Sequence, residues 1–342
     1  MDLGRRSVEA VELTAGPSAP RSVLVTGAHG MLGAWLTVAL LDAGHGVVTI
    51  RRDGAATSTL ELLGRSGEVD TVRGDVCEEG LVGRALDEYG VSSVFHLAAQ
   101  PLVGMANESP RSTFETNIRG TWMLLEACRG RDIASVIVAS SDKAYGDQVA
   151  LPYRETHPLQ PTFPYEVSKA AADLIARSYW HTFGLPVAVT RLANFYGGGD
   201  TNRSRLVPEA VHAALAGRAP VIRSDGSPER DFLYVEDAAA AYLALWGALL
   251  AGNGGGEAFN AGGGSPHRVS DVVELICRLA GATLTPEIRG SARPHGEIDR
   301  QWVDDTKLRE LTGWAPAVDL EEGLRRTIAW YREHPRTLGL IR

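Results

Sequence analysis

The sequence reads as an α/β protein, a doubly wound parallel sheet with a smaller α/β domain appended towards its C-terminus. Three observations carry this reading. Short β-branched apolar runs alternate with longer helical stretches, a glycine-spaced turn follows the first run directly, and the alternation ends at Gly197, Gly198 and Gly199.

Taken in order, Ser22 to Thr26 is the first apolar run and a helix to Ala43 follows it. Gly46 to Ile50, Val69 to Arg73 and Val94 to Leu97 are the next three runs. A helical segment from Ser109 to Gly130, the run Ser135 to Ser140, a helix over Pro164 to Phe183 and the run Pro186 to Leu192 continue the rhythm. Parallel strands need crossover connections, and helices of this length supply them on both faces of the sheet. Beyond Gly199 the chain turns to helices separated by short strands. Ala238 to Ala251 is mainly apolar but shorter than the roughly 18 to 20 residues that cross a bilayer, so it reads as a buried helix. After the glycine-rich Gly252 to Gly256, the run Glu257 to Ala261 reads as a strand able to return to the first sheet.

The chain has 342 residues, of which 44% are hydrophobic and 22% charged, which allows about two domains and a large core without disulfides. Lys plus Arg number 34 against 42 Asp plus Glu, and the net charge of -8 argues against broad attraction to nucleic acid or anionic membrane. A local basic pocket remains compatible with it. Cys77, Cys128 and Cys277 lie too far apart for metal-knuckle or redox spacing. They read as buried thiols, with no metal site, in a reducing and therefore cytoplasmic compartment. Residues 1–20 carry Arg5 and Arg6 without an apolar stretch behind them and read as a loose tail rather than a secretion signal.

Thr26-Gly27-Ala28-His29-Gly30-Met31-Leu32-Gly33 closes the first strand and opens a helix. Glycines at 27, 30 and 33 permit a tight turn and let backbone approach a pyrophosphate, whose charge meets the helix N-terminus. In this strand-turn-helix context the pattern is a dinucleotide-binding, Rossmann-type fingerprint. His29 reads as a loop residue beside the cofactor rather than as a catalyst. The second strand ends Ile50-Arg51-Arg52-Asp53, where such folds usually place an acid on the adenosine ribose. Arg51 and Arg52 suit a 2'-phosphate and lean towards NADP, Asp53 suits a free ribose, and two solvated loop arginines are the plain alternative. Asp75, after the third strand, is placed either to touch adenine or to stabilise a turn.

Tyr165 and Lys169 stand at i and i+4 on one helix face. A cation there stabilises phenolate, lowering the tyrosine from about 10 and making a base for a hydroxyl whose carbon loses hydride. Ser141-Asp142-Lys143 follows the apolar run Ser135 to Ser140 at its carboxyl end, the edge where ligands of open parallel sheets bind. A hydroxyl there can hold a substrate oxygen, while the adjacent Asp and Lys offer one group able to donate a proton and one able to accept it.

With these residues the chain resembles the extended short-chain dehydrogenase/reductases that act on nucleotide sugars, from about Ser22 to Trp330. Within them, the glycine turn followed by Ala34-Trp35-Leu36, His96 to Val103, Thr116 to Thr121 and Ser141-Asp142-Lys143 are similar to CDP-glucose 4,6-dehydratases. Dehydratases carry Asp-Glu or Asp-Lys after the hydroxyl residue, whereas 4-epimerases usually carry small or hydroxyl residues there. The resemblance implies an NDP-hexose 4,6-dehydratase with a tightly bound NAD, or NADP if the arginines decide. Tyr165 would take the proton of the carbon 4 hydroxyl, with Ser141 holding that oxygen and Lys169 binding the nicotinamide ribose. Asp142 would protonate the departing carbon 6 hydroxyl. Lys143 would help remove the carbon 5 proton, which requires a neutral amine, or would only stabilise the enolate.

The resemblance also places the cofactor against Gly27, His29, Gly30, Met31, Gly33, Arg51, Arg52, Asp75, Val76, Leu97, Ala98, Ala99, Tyr165 and Lys169. It places the nucleotide sugar against Gln100, Asn194, Arg205, Arg230 and Arg293. Arg230-Asp231-Phe232 to Asp237 follows the wider dehydratase and epimerase group rather than the CDP-glucose enzymes, and leaves the base undecided. The expected division is a Rossmann domain over 21–195 with 232–262 returning to it, and a nucleotide-sugar domain over 196–231 and 263–342. A homodimer through the helices near 109–130 and 164–183 is implied as well. The alternatives are an NDP-sugar 4-epimerase of the same fold, or a non-catalytic nucleotide or RNA binder. A complete Ser141, Tyr165 and Lys169 set argues against the latter two.

Overall fold

The computed structural model describes residues 21–52, 58–290 and 298–338. β1 (Ser22–Thr26) sends Val23 and Val25 into the core on one face and Leu24 into the core on the other. An all-apolar run is what a strand covered on both faces requires. α1 (Met31–Asp42), β2 (Gly46–Arg51), the short α2 (Thr59–Leu62), β3 (Asp70–Arg73), α3 (Leu81–Glu88) and β4 (Ser93–His96) complete the first half of the sheet. Two short helices, α4 (Val103–Glu108) and α5 (Pro110–Phe114), pass through a π turn at Glu115–Arg119 into α6 (Gly120–Cys128). β5 (Ser135–Ala139), a 3-10 turn over Asp142–Tyr145, α7 (Pro164–Phe183), β6 (Val187–Leu192) and β7 (Asn194–Tyr196) come next. The remainder is α8 (Leu206–Leu215), β8 (Val221–Ile222), β9 (Glu229–Tyr234), α9 (Val235–Leu250), β10 (Ala258–Ala261), β11 (Pro266–Arg268), α10 (Val269–Leu279), β12 (Glu287–Ile288), β13 (Arg300–Gln301), α11 (Thr306–Thr312) and α12 (Leu320–Glu333).

Seven parallel strands form the main sheet in the order β3-β2-β1-β4-β5-β6-β10. The doubly wound parallel sheet expected from the strand rhythm is therefore present. Its order reverses between β1 and β4, and the carboxyl ends of those two strands flank the crevice that such a reversal creates. β10 lies beside β6 with Asn260 opposite Arg191, which puts the run before Gly262 into this sheet. β7, β9, β11 and β13 form a smaller sheet, and β8 pairs with β12 beside it. α1 and α9 pack on one face, where Leu36, Leu40, Leu245 and Trp246 are fully or almost fully buried. α3 and α6 cover the other face through Leu86, Leu124 and Leu125. Among the described residues no helix is long and apolar enough to cross a membrane.

α7 keeps the expected bounds because both ends are specified. Pro164 fits the first helical position, Glu166 Oε2 accepts the N–H groups of Thr162 and Phe163 at 2.9 and 3.2 Å, and Gly184 closes the helix at φ 69°. The helical segment expected over 109–130 is present, with α5 running through the π turn into α6, and Asn117 on that turn faces inward at 2% exposure. One expectation is corrected. Cys128 and Cys277 are buried, but Cys77 is only half-buried, since it stands in the turn after β3 with its Sγ against the Glu115 carbonyl.

Leu36 is fully buried on α1 between the sheet and α9. Leu36→Ala is expected to lower stability by about 2–5 kcal/mol in denaturant unfolding, through lost transfer energy and the cavity left behind.

Candidate active site

At two of its three glycines the turn has geometry that no other residue fits. Gly27 has φ +74°, and a Cβ there would lie 2.8 Å from the Ala98 nitrogen, while a Cβ on Gly33 would collide with the Gly27 carbonyl. Gly30 precedes α1 with extended backbone and no side-chain cap. The first N–H groups of α1 therefore point out of the turn without a partner from a capping side chain, the arrangement that receives a phosphate.

A cavity of about 260 Å³ opens beside this turn, lined by His29, Gly30, Met31, Arg51, Thr59 and Arg205 among others. Chain from beyond β7 closes its far side, since Trp35 donates to the Gly198 carbonyl at 2.9 Å and Thr59 to that of Gly199 at 2.7 Å. His29 is half-buried, with Nδ1 3.2 Å from Ser58 Oγ, and burial together with the Arg51 charge holds it below its usual range. Arg51 ion-pairs Glu61 at 2.8 Å, Arg52 lies 3.6 Å from Asp75, and Asp75 Oδ1 accepts the Cys77 N–H at 2.8 Å. Asp75 thus does build a turn, with Val76 buried behind it. Asp53 and Arg293 lie outside the described residues.

Across the crevice, Thr26 Oγ1 meets His96 Nδ1 at 2.8 Å and accepts the Ala98 N–H at 3.2 Å, and His96 Nε2 meets Thr121 Oγ1 at 3.2 Å. Burial and the Lys169 charge press His96 down to about 3, so the ring is neutral. Leu97, Ala98 and Ala99 stay half-buried along the rim. Gln100 is turned back into its own loop, donating to the Leu102 carbonyl at 3.1 Å and Thr113 Oγ1 at 2.9 Å and accepting from the Leu102 N–H. Its side chain shapes this loop, with both Nε2 protons used within it.

On the α7 side, Tyr165 and Lys169 are 9% and 6% exposed. Lys169 Nζ donates to the Ala139 carbonyl at 2.9 Å, and burial lowers it to about 8. Tyr165 departs from the value its spacing suggested. Burial first, then the Asp142 carboxylate, push it up to about 12 against the pull of the Arg205 charge and a Ser141 hydrogen bond. Ser141 Oγ donates to Asp142 Oδ1 at 3.0 Å and accepts the Lys143 N–H at 3.2 Å, which fixes the 3-10 turn. Lys143 Nζ donates to Asn194 Oδ1 at 2.9 Å and stands 3.7 Å from Asp142 Oδ1. Asp142 is 1% exposed, and both its Oδ2 and Asn194 Nδ2 are buried with no protein partner. Buried polar groups rarely stay unpaired, so these two atoms mark a place for a polar ligand.

Arg205 joins the two regions, lining the cavity at the glycine turn, acting on Tyr165 and pairing with Asp200 at 3.0 Å. Arg230 is held at the edge of β9 by the carbonyls of Glu229 and Asp299. No cluster of three or more metal-ligating side chains occurs among the described residues. Two residues at this site carried no role in the sequence reading. Asn117 binds the Gln100 backbone through both amide atoms and donates to Ser168 Oγ at 2.9 Å, tying the rim to α7. Its motif was visible, but its inward rotation depends on the π turn. Asp231 is fully buried, accepts the Gly263 N–H at 2.7 Å and is raised to about 7 by burial, with the Asp142 charge adding to the shift. Nothing in the spacing of Arg230-Asp231-Phe232 reveals that burial.

Comparison with known proteins gives a consistent family. The model of the family described as GDP-mannose 4,6 dehydratase matches residues 24–327. A dTDP-glucose 4,6-dehydratase of Xanthomonas campestris pv. campestris is 33% identical over 90% of this chain and 92% of its own. A UDP-glucose 4-epimerase of Mycolicibacterium smegmatis is 32% identical over 90% of this chain and 98% of its own. Among solved structures, a dTDP-glucose 4,6-dehydratase of Streptomyces venezuelae with NAD bound superposes with a TM-score of 0.82 at 29% identity, covering 92% of this chain and 98% of that one.

Asp231 sets a pH dependence of stability. Its folded value of about 7 lies above the ordinary 3.8, so its contribution is fully present below pH 3.8 and is lost as pH rises towards 7. Asp231→Asn removes that loss. The unfolding free energy of the variant minus that of wild type is expected to be larger at pH 8 than at pH 5, by on the order of 2–4 kcal/mol in parallel denaturant titrations.

Proposed function

The chain belongs to the nucleotide-sugar epimerase/dehydratase family of extended short-chain dehydrogenase/reductases, and on that premise we propose that it is an NDP-hexose 4,6-dehydratase. The observation that carries the reading is the pair of buried Asp142 and half-buried Lys143 beside Ser141 and Tyr165, with Asp142 Oδ2 buried and lacking a protein partner. An epimerase needs no acid at carbon 6.

The residues fit a nicotinamide dinucleotide. The uncapped N-terminus of α1, the close backbone approach at Gly27 and Gly33 and the adjoining cavity suit its pyrophosphate. Lys169 is the residue proposed to bind the nicotinamide ribose. We take the cofactor as NAD, because Arg51 and Arg52 already face the carboxylates of Glu61 and Asp75, which would repel a 2'-phosphate. When bound, the dinucleotide would supply a reversible hydride acceptor for the carbon 4 oxidation and the carbon 6 reduction.

Tyr165 takes the proton of the carbon 4 hydroxyl, and Ser141 Oγ holds that oxygen. In the resulting 4-ketose the carbon 5 proton is acidic. Moving one proton within the Asp142–Lys143 pair converts ammonium and carboxylate into amine and carboxylic acid, the base and the acid that elimination needs, with no change in net charge. Lys143 then takes the carbon 5 proton, Asp142 gives its proton to the departing carbon 6 hydroxyl, and the pair ends as ammonium and carboxylate. Arg205 and Arg230 are the cations proposed for the diphosphate, with Asn194 beside the sugar. CDP-glucose stands first among substrates, on the Ser141-Asp142-Lys143 triplet and the run Gln100 to Val103. A homodimer through α6 and α7 remains part of the reading.

Purified protein incubated with CDP-, dTDP-, UDP- and GDP-hexoses is expected to remove one water from one of them without net consumption of cofactor, read by mass spectrometry. A product of unchanged mass would make it an epimerase, and the dinucleotide released on denaturation is expected to be NAD. Asp142→Asn should still oxidise carbon 4, seen as a transient reduced-nicotinamide absorbance, while eliminating water about 10²–10⁴-fold more slowly. Tyr165→Phe should abolish both steps.

A further inference from the structure

Beneath the site lies a fully buried polar network that the chemistry does not touch. Asp173 follows Tyr165 and Lys169 on α7 at the same four-residue spacing, so all three share one helix face. Arg191 on β6, 1% exposed, binds Asp173 through both carboxylate oxygens at 2.7 and 3.0 Å. Its remaining arm donates to Tyr145 Oη at 2.9 Å, and Tyr145 is the last residue of the 3-10 turn that begins at Asp142. Tyr145 Oη donates in turn to Asn260 Oδ1 at 2.8 Å, and Asn260 Nδ2 donates to the Tyr153 carbonyl at 3.0 Å. Tyr153 Oη closes the loop on the Gly146 carbonyl at 2.8 Å.

We propose that Arg191 and Tyr145 are positioning residues that set the distance between the two halves of the site. One half, Tyr165 and Lys169, rides on α7. The other, Ser141, Asp142 and Lys143, rides on the 3-10 turn. A single guanidinium grips both, and its planar fork allows little slack in either direction. Replacing such a pair by apolar groups of equal volume would often cost no stability, so its presence is better explained by the geometry it enforces than by strength. The inference rests on the dehydratase reading and says which step depends on the network. Oxidation at carbon 4 uses groups tied to α7 and the start of the turn, whereas elimination needs carbon 5 and carbon 6 registered against Asp142 and Lys143.

Tyr145→Phe keeps the ring and removes the hydroxyl. Single-turnover kinetics, following reduced-nicotinamide absorbance and water loss together, are expected to show carbon 4 oxidation within about two-fold of wild type and elimination slowed about 10- to 100-fold, the scale of a misplacement near 1 Å. Reduced nicotinamide would then accumulate. Arg191→Lys, which can keep the Asp173 pair but not the bond to Tyr145, should show the same split. Trp246→Phe, which loses its bonds to Ser93 and Ser135 at the opposite end of the sheet, should leave the ratio of the two rates unchanged. Both steps slowing together, or neither slowing, in a Tyr145→Phe protein that melts as a folded protein overturns the inference alone. No water loss by the wild type from any of the nucleotide hexoses overturns the dehydratase reading and the inference with it.

Discussion

Thr26 and His96 meet at 2.8 Å across the point where the order of the sheet reverses, and the site is assembled around that contact. The reversal sends the connections after β1 and β4 to opposite faces and opens the crevice between them. The neutral His96 ring bonds Thr26 on one side and Thr121 of α6 on the other, so the glycine turn, the rim after β4 and a covering helix are set by one imidazole. A charged ring there would face the Lys169 ammonium in a dry interior, which is why His96 stays deprotonated.

Much of this was legible in the sequence because the relevant signals are local. The strands of the main sheet other than β3 are mainly apolar runs, α7 carries its own start and stop residues, and Gly27 and Gly33 stand where only glycine fits. The grouping of Ser141, Asp142 and Lys143 with Tyr165 and Lys169 also followed, since a parallel sheet brings the carboxyl ends of its strands to one edge. What stayed hidden depends on contacts distant in sequence. Asn117 is turned inward by a π turn, Gln100 is drawn back by Thr113, and Asp231 is buried by the approach of Gly263. The Arg191 network joins residues of the 3-10 turn, α7, β6 and β10, and no spacing rule connects them.

The second group of strands and helices does more than cover the sheet. The stretch from Gly198 to Arg205 hangs from β7, is fastened to α1 and α2 by Trp35 and Thr59, and delivers Arg205 between the glycine turn and Tyr165. A cation there serves both regions, since it faces the phosphate-binding turn and pulls on the phenol. β9 brings Asp231 behind Asp142 by a similar route, pairing Phe232 with Asn194 of β7.

These placements make Asp142 the electrostatic hinge of the site. As a carboxylate it holds Tyr165 and Asp231 up and stands 3.7 Å from the Lys143 ammonium. In the mechanism proposed above, moving the internal proton from Lys143 to Asp142 would remove the negative charge beside Tyr165. The phenol then loses one of the two causes of its elevation and becomes easier to deprotonate, while Arg205 and Ser141 keep their stabilising effect on phenolate. In the proposed mechanism, the form of the pair ready to eliminate water is thus also the form beside which Tyr165 is easier to deprotonate.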